Sequence, residues 1–153
     1  MEITLLKASL SDANELYDLQ IKSFMQLLDK YHDYDFSPGA EKIEKTMHRL
    51  KESNSDYYFI CLNNINIGAV RVIYANNICS LKQIYILPEY QGNGFAQQAI
   101  CNVEKLYPDS IRWELDTIKQ EEKLCYLYEK MGYVRTGKEE NIKLDMDLIF
   151  FAK

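Results

Sequence analysis

Apolar positions along this chain recur with two periods, and the switches between them mark out its elements. Ile3-Thr4-Leu5-Leu6-Lys7-Ala8 reads as a first strand. A helix follows, with Leu16, Tyr17, Phe24, Leu27 and Leu28 at helical spacing and Asp12 with Glu15 as a capping box at its start. From Lys30 to Phe36 the pattern breaks into a polar, aromatic loop. Ser37-Pro38 then restarts a helix whose inner side carries Ile43, Met47 and Leu50. Tyr57–Leu62 and Ile67–Tyr74 are β-rich runs about Asn63-Asn64-Ile65-Asn66, the pattern of a hairpin, and a third run, Ile78–Leu87, follows Asn76-Asn77.

The second half alternates. A helix carries Ala96, Ala99, Ile100, Val103 and Leu106 on one face, and Ile111–Leu115 is a short strand. Gln120–Met131 is helical, with Leu124, Leu127, Tyr128 and Met131 on one side and Gly132 placed to end it. Val134–Gly137 and Leu144–Phe151 close the chain as strands. The order is β-α-α-β-β-β-α-β-α-β-β, without repeat or linker. It predicts a mixed α/β fold in which hairpins make most of the sheet antiparallel. The helix between the Ile78 and Ile111 strands is a crossover, so those two strands lie parallel.

Composition narrows the function. The 153 residues fit one domain, 1–153, and the 47% apolar and 27% charged fractions are those of an ordinary globular protein. A net charge of −5 argues against nucleic acid or an anionic membrane as partner and favours a cationic small molecule or basic peptide. No stretch reads as a signal peptide or membrane span, so a cytoplasmic protein is expected. Cys61, Cys79, Cys101 and Cys125 stand singly among apolar neighbours, with His32 and His48 the only histidines. That arrangement predicts buried free thiols and no metal site. A homodimer stays open.

One junction carries candidate chemistry. The apolar Ile84-Tyr85-Ile86-Leu87 runs through Pro88-Glu89-Tyr90 into Gln91-Gly92-Asn93-Gly94 and then a helix. Glycines there let backbone amides at a helix start approach an anion, and phosphate is the obvious one. The P-loop pattern fails for want of Gly-Lys-Ser/Thr. The dinucleotide fingerprint has Gln97 where its third glycine belongs. A tight turn with no ligand is the plain alternative.

Gln91-Gly92-Asn93-Gly94-Phe95-Ala96 resembles the Gln/Arg-x-x-Gly-x-Gly/Ala motif of the GNAT superfamily of N-acetyltransferases. Leu127-Tyr128-Glu129-Lys130-Met131-Gly132-Tyr133 is similar to that family's second signature. The resemblance covers the whole chain and its element order. It implies that Gln91, Gly92, Asn93, Gly94, Phe95 and Ala96 cradle the pyrophosphate of acetyl-CoA. It implies too that the backbone of Ile84, Tyr85 and Ile86 pairs with the pantetheine arm, in a gap where the two parallel strands splay apart. A parity change along the Cys79–Ile86 strand fits a bulge near Lys82-Gln83.

Acyl transfer to an amine needs a base and a proton for the departing sulfur. Tyr128 stands at the family position whose hydroxyl serves the coenzyme sulfur; Tyr126, about 200° round the helix, ranks second. Many relatives carry a carboxylate on the strand before the glycine loop, where this chain reads Ser80-Leu81-Lys82-Gln83. Glu114, Asp116 or water are the candidates left for the base. Glu121 stands where the family often has asparagine. Acceptor choice is implied to lie in Tyr31-His32-Asp33-Tyr34-Asp35-Phe36, whose two aspartates among aromatics suit a cation. The expected function is transfer of acetyl from acetyl-CoA to a primary amine of a small molecule or peptide. The alternatives are a non-catalytic acyl-CoA sensor and a ligand-free partner-binding domain.

Overall fold

Two asparagine pairs set the frame of the sheet in the computed structural model, which describes residues 1–153. Asn63 and Asn64 (φ 50° and 67°) join β2 (Ser55–Leu62) to β3 (Ile65–Ala75). Asn76 and Asn77 (φ 52° and 63°) join β3 to β4 (Ile78–Ile86). Two successive left-handed residues are what a two-residue hairpin turn demands, and asparagine tolerates that conformation. β1 (Thr4–Lys7) pairs antiparallel with β2. The chain then crosses through α3 (Phe95–Lys105) to β5 (Arg112–Ile118), and after α4 (Glu122–Lys130) it closes with β6 (Val134–Lys143) and β7 (Met146–Ala152). The seven strands lie in the order β1-β2-β3-β4-β5-β7-β6.

Helices cover both faces. α1 (Ala13–Tyr31) and α2 (Ile43–Lys51) lie on one face, where Leu16 and Leu19 meet Tyr57, Phe59, Ala69 and Tyr85. On the other, Phe95, Ile100 and Val103 of α3 and Cys125 and Tyr128 of α4 pack on Val70, Leu81, Trp113, Leu115 and Phe151. Ile60, Ile67, Val70 and Val72 have no exposed surface. At about 1.5–3 kcal/mol for each such side chain, β2 and β3 form the most strongly anchored part of the sheet.

β4 and β5 are parallel, as expected, but only briefly. Their pairing spans Ile78–Ser80 against Arg112–Glu114 and then stops. β4 stays paired with β3 as far as Ile86, through a register shift: Val72 faces Leu81 and Arg71 faces Gln83, leaving Lys82 outside the ladder. This is the bulge that the parity change predicts, and a bulge bends the strand that carries it. The two strands therefore part, and from Leu81 onward β4 has no partner on its β5 side.

Local details differ from the sequence reading. The capping box sits one turn earlier: Asp12 accepts from the Ser9 amide (2.8 Å), because a 3-10 turn over Leu10–Asp12 precedes α1. Ser37-Pro38 opens a separate 3-10 turn, with Ser37 capping the Gly39 amide, and α2 begins only at Ile43. β6 runs six residues beyond the expected Gly137, to Lys143. It is almost wholly exposed and shows no alternation to read. Cys101 is exposed, whereas Cys61, Cys79 and Cys125 are buried as expected.

Candidate active site

The glycine loop joins β4 to α3 with its amides unspent. Gly92 and Gly94 hold φ of +78° and +80°, and Gly94 is the N-cap of α3. A Cβ on either would meet nothing within 4 Å, so both face open space. The loop is tied down from behind: Gln91 Nε2 donates to the Ile86 carbonyl (2.9 Å), and Asn93 Nδ2 donates to those of Tyr90 and Gln91 (3.1 and 3.2 Å). The first backbone bond of α3 runs from the Gln98 amide to Gly94, so the amides of residues 92–97 have no acceptor within the chain. That concentrates positive potential at one spot, which suits a phosphate. Phe95 is buried in the core and offers the loop only its backbone; Ala96 is half-buried.

Tyr128 stands behind the parting of β4 and β5. Its ring is 5% exposed and packs edge-on against Tyr133 (6.2 Å) and tilted against Phe151 (6.1 Å). Its hydroxyl makes no hydrogen bond in the chain. Burial, and then the negative charge of Asp116, hold the phenol well above its ordinary pKa. Tyr126 is 67% exposed, on the solvent side of α4. Of the three residues expected to line the coenzyme arm, Tyr85 and Ile86 are buried and Ile84 half-buried. Tyr85 donates its hydroxyl to the Leu16 carbonyl (3.2 Å).

The open side of the parting is a cleft of about 240 Å³, lined by Ser80, Lys82, Glu114, Asp116, Lys138 and Phe150 among others. The two candidate carboxylates differ there. Glu114 accepts from Arg112 Nε at 2.8 Å. Asp116 has no such partner. Its side chain reaches solvent, but the cleft walls desolvate the carboxyl enough to push its pKa up, against the opposing pull of Lys82 and Lys138. Asp116 faces this cleft, and Tyr128, packed with Trp113 and Leu115 on the other face of the sheet, lies near enough for the carboxylate's charge to act on its phenol.

The remaining expected site residues lie elsewhere. Glu121 is taken up by α1: its Oε2 accepts from Lys30 Nζ (2.6 Å) and from the Tyr31 hydroxyl (2.5 Å). Within the aromatic loop Asp33 is 6% exposed and accepts from the Phe36 amide, so only one of the two aspartates faces solvent. His32 caps α1 and stacks on Tyr34. Tyr34 and Phe36 are 64% and 68% exposed. The sequence reading did not single out Lys82, Lys138 or Phe150 for chemistry. Their one signal was their place in the strands, which becomes informative only with the register of β4, β5 and β7.

This arrangement agrees with the sequence family. The profile of the acetyltransferase (GNAT) family matches residues 14–133, and the chain belongs to that family. No curated protein matches its sequence significantly. Solved structures of the same fold include the ribosomal-protein-S18-alanine N-acetyltransferase of Escherichia coli, with TM-score 0.79, 13% identity and cover of 98% of this chain and 92% of that one. Another is a point variant of the spermidine N-acetyltransferase SpeG of Vibrio cholerae, with TM-score 0.74, 19% identity and cover of 99% and 93%. A third is the PaiA N-acetyltransferase of Thermoplasma acidophilum in complex with coenzyme A, with TM-score 0.68, 16% identity and cover of 98% of both chains. No helix is long and apolar enough to cross a membrane.

Proposed function

We propose that this protein moves an acetyl group from acetyl-CoA to a primary amine of a small molecule or peptide, by direct attack. The observation that carries the reading is the parting of β4 and β5 with an unpartnered phenol on one side and an unpartnered carboxylate on the other. Acetyl-CoA supplies the activated acyl carbon. The unpaired amides of residues 92–97 suit its pyrophosphate. The free edge of β4 from Leu81 to Ile86 suits its amide-bearing arm, except that the Ile86 carbonyl is already taken by Gln91.

Two residues handle protons. Asp116 takes one from the acceptor ammonium, leaving a neutral amine whose lone pair forms the new C–N bond as the C–S bond breaks. Its raised pKa brings it closer to the working range of a base. Tyr128 gives a proton to the departing sulfur, burial keeping it on the phenol until charge develops there. The second proton that the nitrogen sheds as the amide forms restores the phenol through solvent. Asp116 is preferred over Glu114 because Glu114 is already neutralised by Arg112. Neither step uses a cysteine or a metal.

The test is thiol release from acetyl-CoA across a panel of primary amines. At least one amine should release thiol above the rate of hydrolysis. If none does while acetyl-CoA still raises the melting temperature, the protein is a non-catalytic acyl-CoA binder.

A further inference from the structure

The cleft before the parted strands holds five charged side chains, and three of them are already engaged. Arg112 and Glu114 pair at 2.8 Å, and Lys138 lies 3.7 Å from Glu140 and 4.3 Å from the centre of the Phe150 ring. Lys82 and Asp116 have no ion-pair partner. The register shows why they meet here. Ile78 is level with Arg112 and Ser80 with Glu114, so the next rung on the same face would set Lys82 against Asp116. Pairing stops before that rung, and the bulge lifts Lys82 out of the ladder. The fold thus places one cation and one anion on opposite walls of a cleft without joining them in a direct ion pair.

We propose that the acceptor is a small zwitterion, an amine with a carboxylate one or two carbons away such as an α-amino acid, bound with its ammonium at Asp116 and its carboxylate at Lys82. The inference rests on the acetyltransferase reading and narrows its substrate. Charge and size both support it. The lining carries three cations (Lys82, Arg112, Lys138) and two carboxylates, so a polyamine or basic peptide would find no surplus of negative charge. A volume of about 240 Å³ lies below the ~300–1,000 Å³ of sites for drug-sized ligands. Leu81 and Phe151 also line the cleft and give apolar surface for the body of a small molecule. This departs from the expectation of a cationic acceptor, which rested on net charge and on two loop aspartates, of which the fold uses Asp33 internally and leaves Asp35 exposed.

Calorimetric titration of the protein with coenzyme A present tests recognition apart from turnover. The probes are the protein amino acids and, for the tightest binder, its carboxamide. The acid should bind at least about tenfold more tightly than the carboxamide, the scale of one lost charge-assisted hydrogen bond. Lys82→Met should bring that ratio to about one, and Lys82→Arg should restore most of it. Failure of every amino acid to bind overturns the proposal, as does equal binding of acid and carboxamide or a preference that survives Lys82→Met. None of these results touches the transferase reading, which falls only if no primary amine, charged elsewhere or not, releases thiol from acetyl-CoA.

Discussion

Glu121 and Tyr31, ninety residues apart, meet at 2.5 Å, and the same carboxylate oxygen takes Lys30 at 2.6 Å. α1 packs on β3 and β4 through Leu16, Leu19 and Phe24, the last set edge-on to Tyr85 at 5.5 Å. Its C-terminal end therefore reaches over the parting and grips the start of α4. Where the family often has an asparagine, this chain spends a carboxylate on holding two helices together.

Glu121→Gln should lower unfolding free energy by no more than about 1 kcal/mol, because the amide oxygen still accepts from Lys30 and Tyr31 but without the charge that strengthens both bonds. Burial raises the Glu121 pKa, but the bonds from Lys30 and Tyr31 outweigh it and hold the carboxyl below its ordinary value. A depressed carboxylate stabilises the fold above its unfolded pKa, and that contribution is lost as pH falls through the folded one. Urea unfolding of both proteins across the acid range should show their difference shrinking as the solution is acidified.

At Gly94 the backbone angle and the open space make opposite demands. A Cβ there would meet nothing within 4 Å, but φ +80° strains any residue other than glycine by roughly 1–2 kcal/mol. Gly94→Val should lower Tm by roughly 2–8 °C and abolish the stabilisation given by acetyl-CoA. A variant that keeps the full ligand-induced shift in a thermal scan would remove the loop from the binding site.

For Tyr128 the missing hydrogen bond is the useful fact. Removing a hydroxyl that bonds to nothing in the chain should change stability by less than about 0.5 kcal/mol. Tyr128→Phe should nonetheless lower kcat by roughly 10²-fold if the phenol protonates the leaving sulfur. Single-turnover kinetics beside a denaturant titration separates that outcome from a purely packing role.

Asp116 should show activity and stability pulling in opposite directions. Its folded pKa is raised, so its contribution to stability is full only below the unfolded carboxylate pKa and is lost as pH rises through the folded one. At neutral pH the fold bears a slightly unfavourable charge there, screened by solvent because the side chain is exposed, and Asp116→Asn should leave Tm unchanged or raise it by a small amount. The same change should cut kcat/KM by roughly 10²–10⁴-fold and remove the acid limb of its pH profile, since the base must be ionised to work. A variant with unchanged turnover would pass the role to Glu114 or water.

Much of this was legible before the fold was known, and the parts that were share a cause. The paired asparagines, the crossover and the bulge at Lys82 are local signals, written in a few adjacent residues. What escaped was non-local. β6 is exposed along most of its length, so its sequence has no inward face to alternate with. The chemistry of Lys82 depends on Asp116, more than thirty residues on, and only the β4–β5 register brings the two level. Cys101 looked apolar in context because its helix is amphipathic, yet it occupies the outer side. Asp33 looked available because a loop aspartate rarely announces that it caps its own turn.

The three paired rungs between β4 and β5 have a mechanical reading. They join two leaves, β1–β4 with α1 and α2 on one hand and β5, β7 and β6 with α4 on the other, at one end like the spine of a book. At the far end Lys30 and Tyr31 clasp Glu121, and Lys143 reaches back to the His32 carbonyl at 3.3 Å. An aperture fixed at spine and clasp has a width that side-chain changes along its walls leave nearly untouched. The contents of the walls are thus free to diverge while the opening that admits them stays the same.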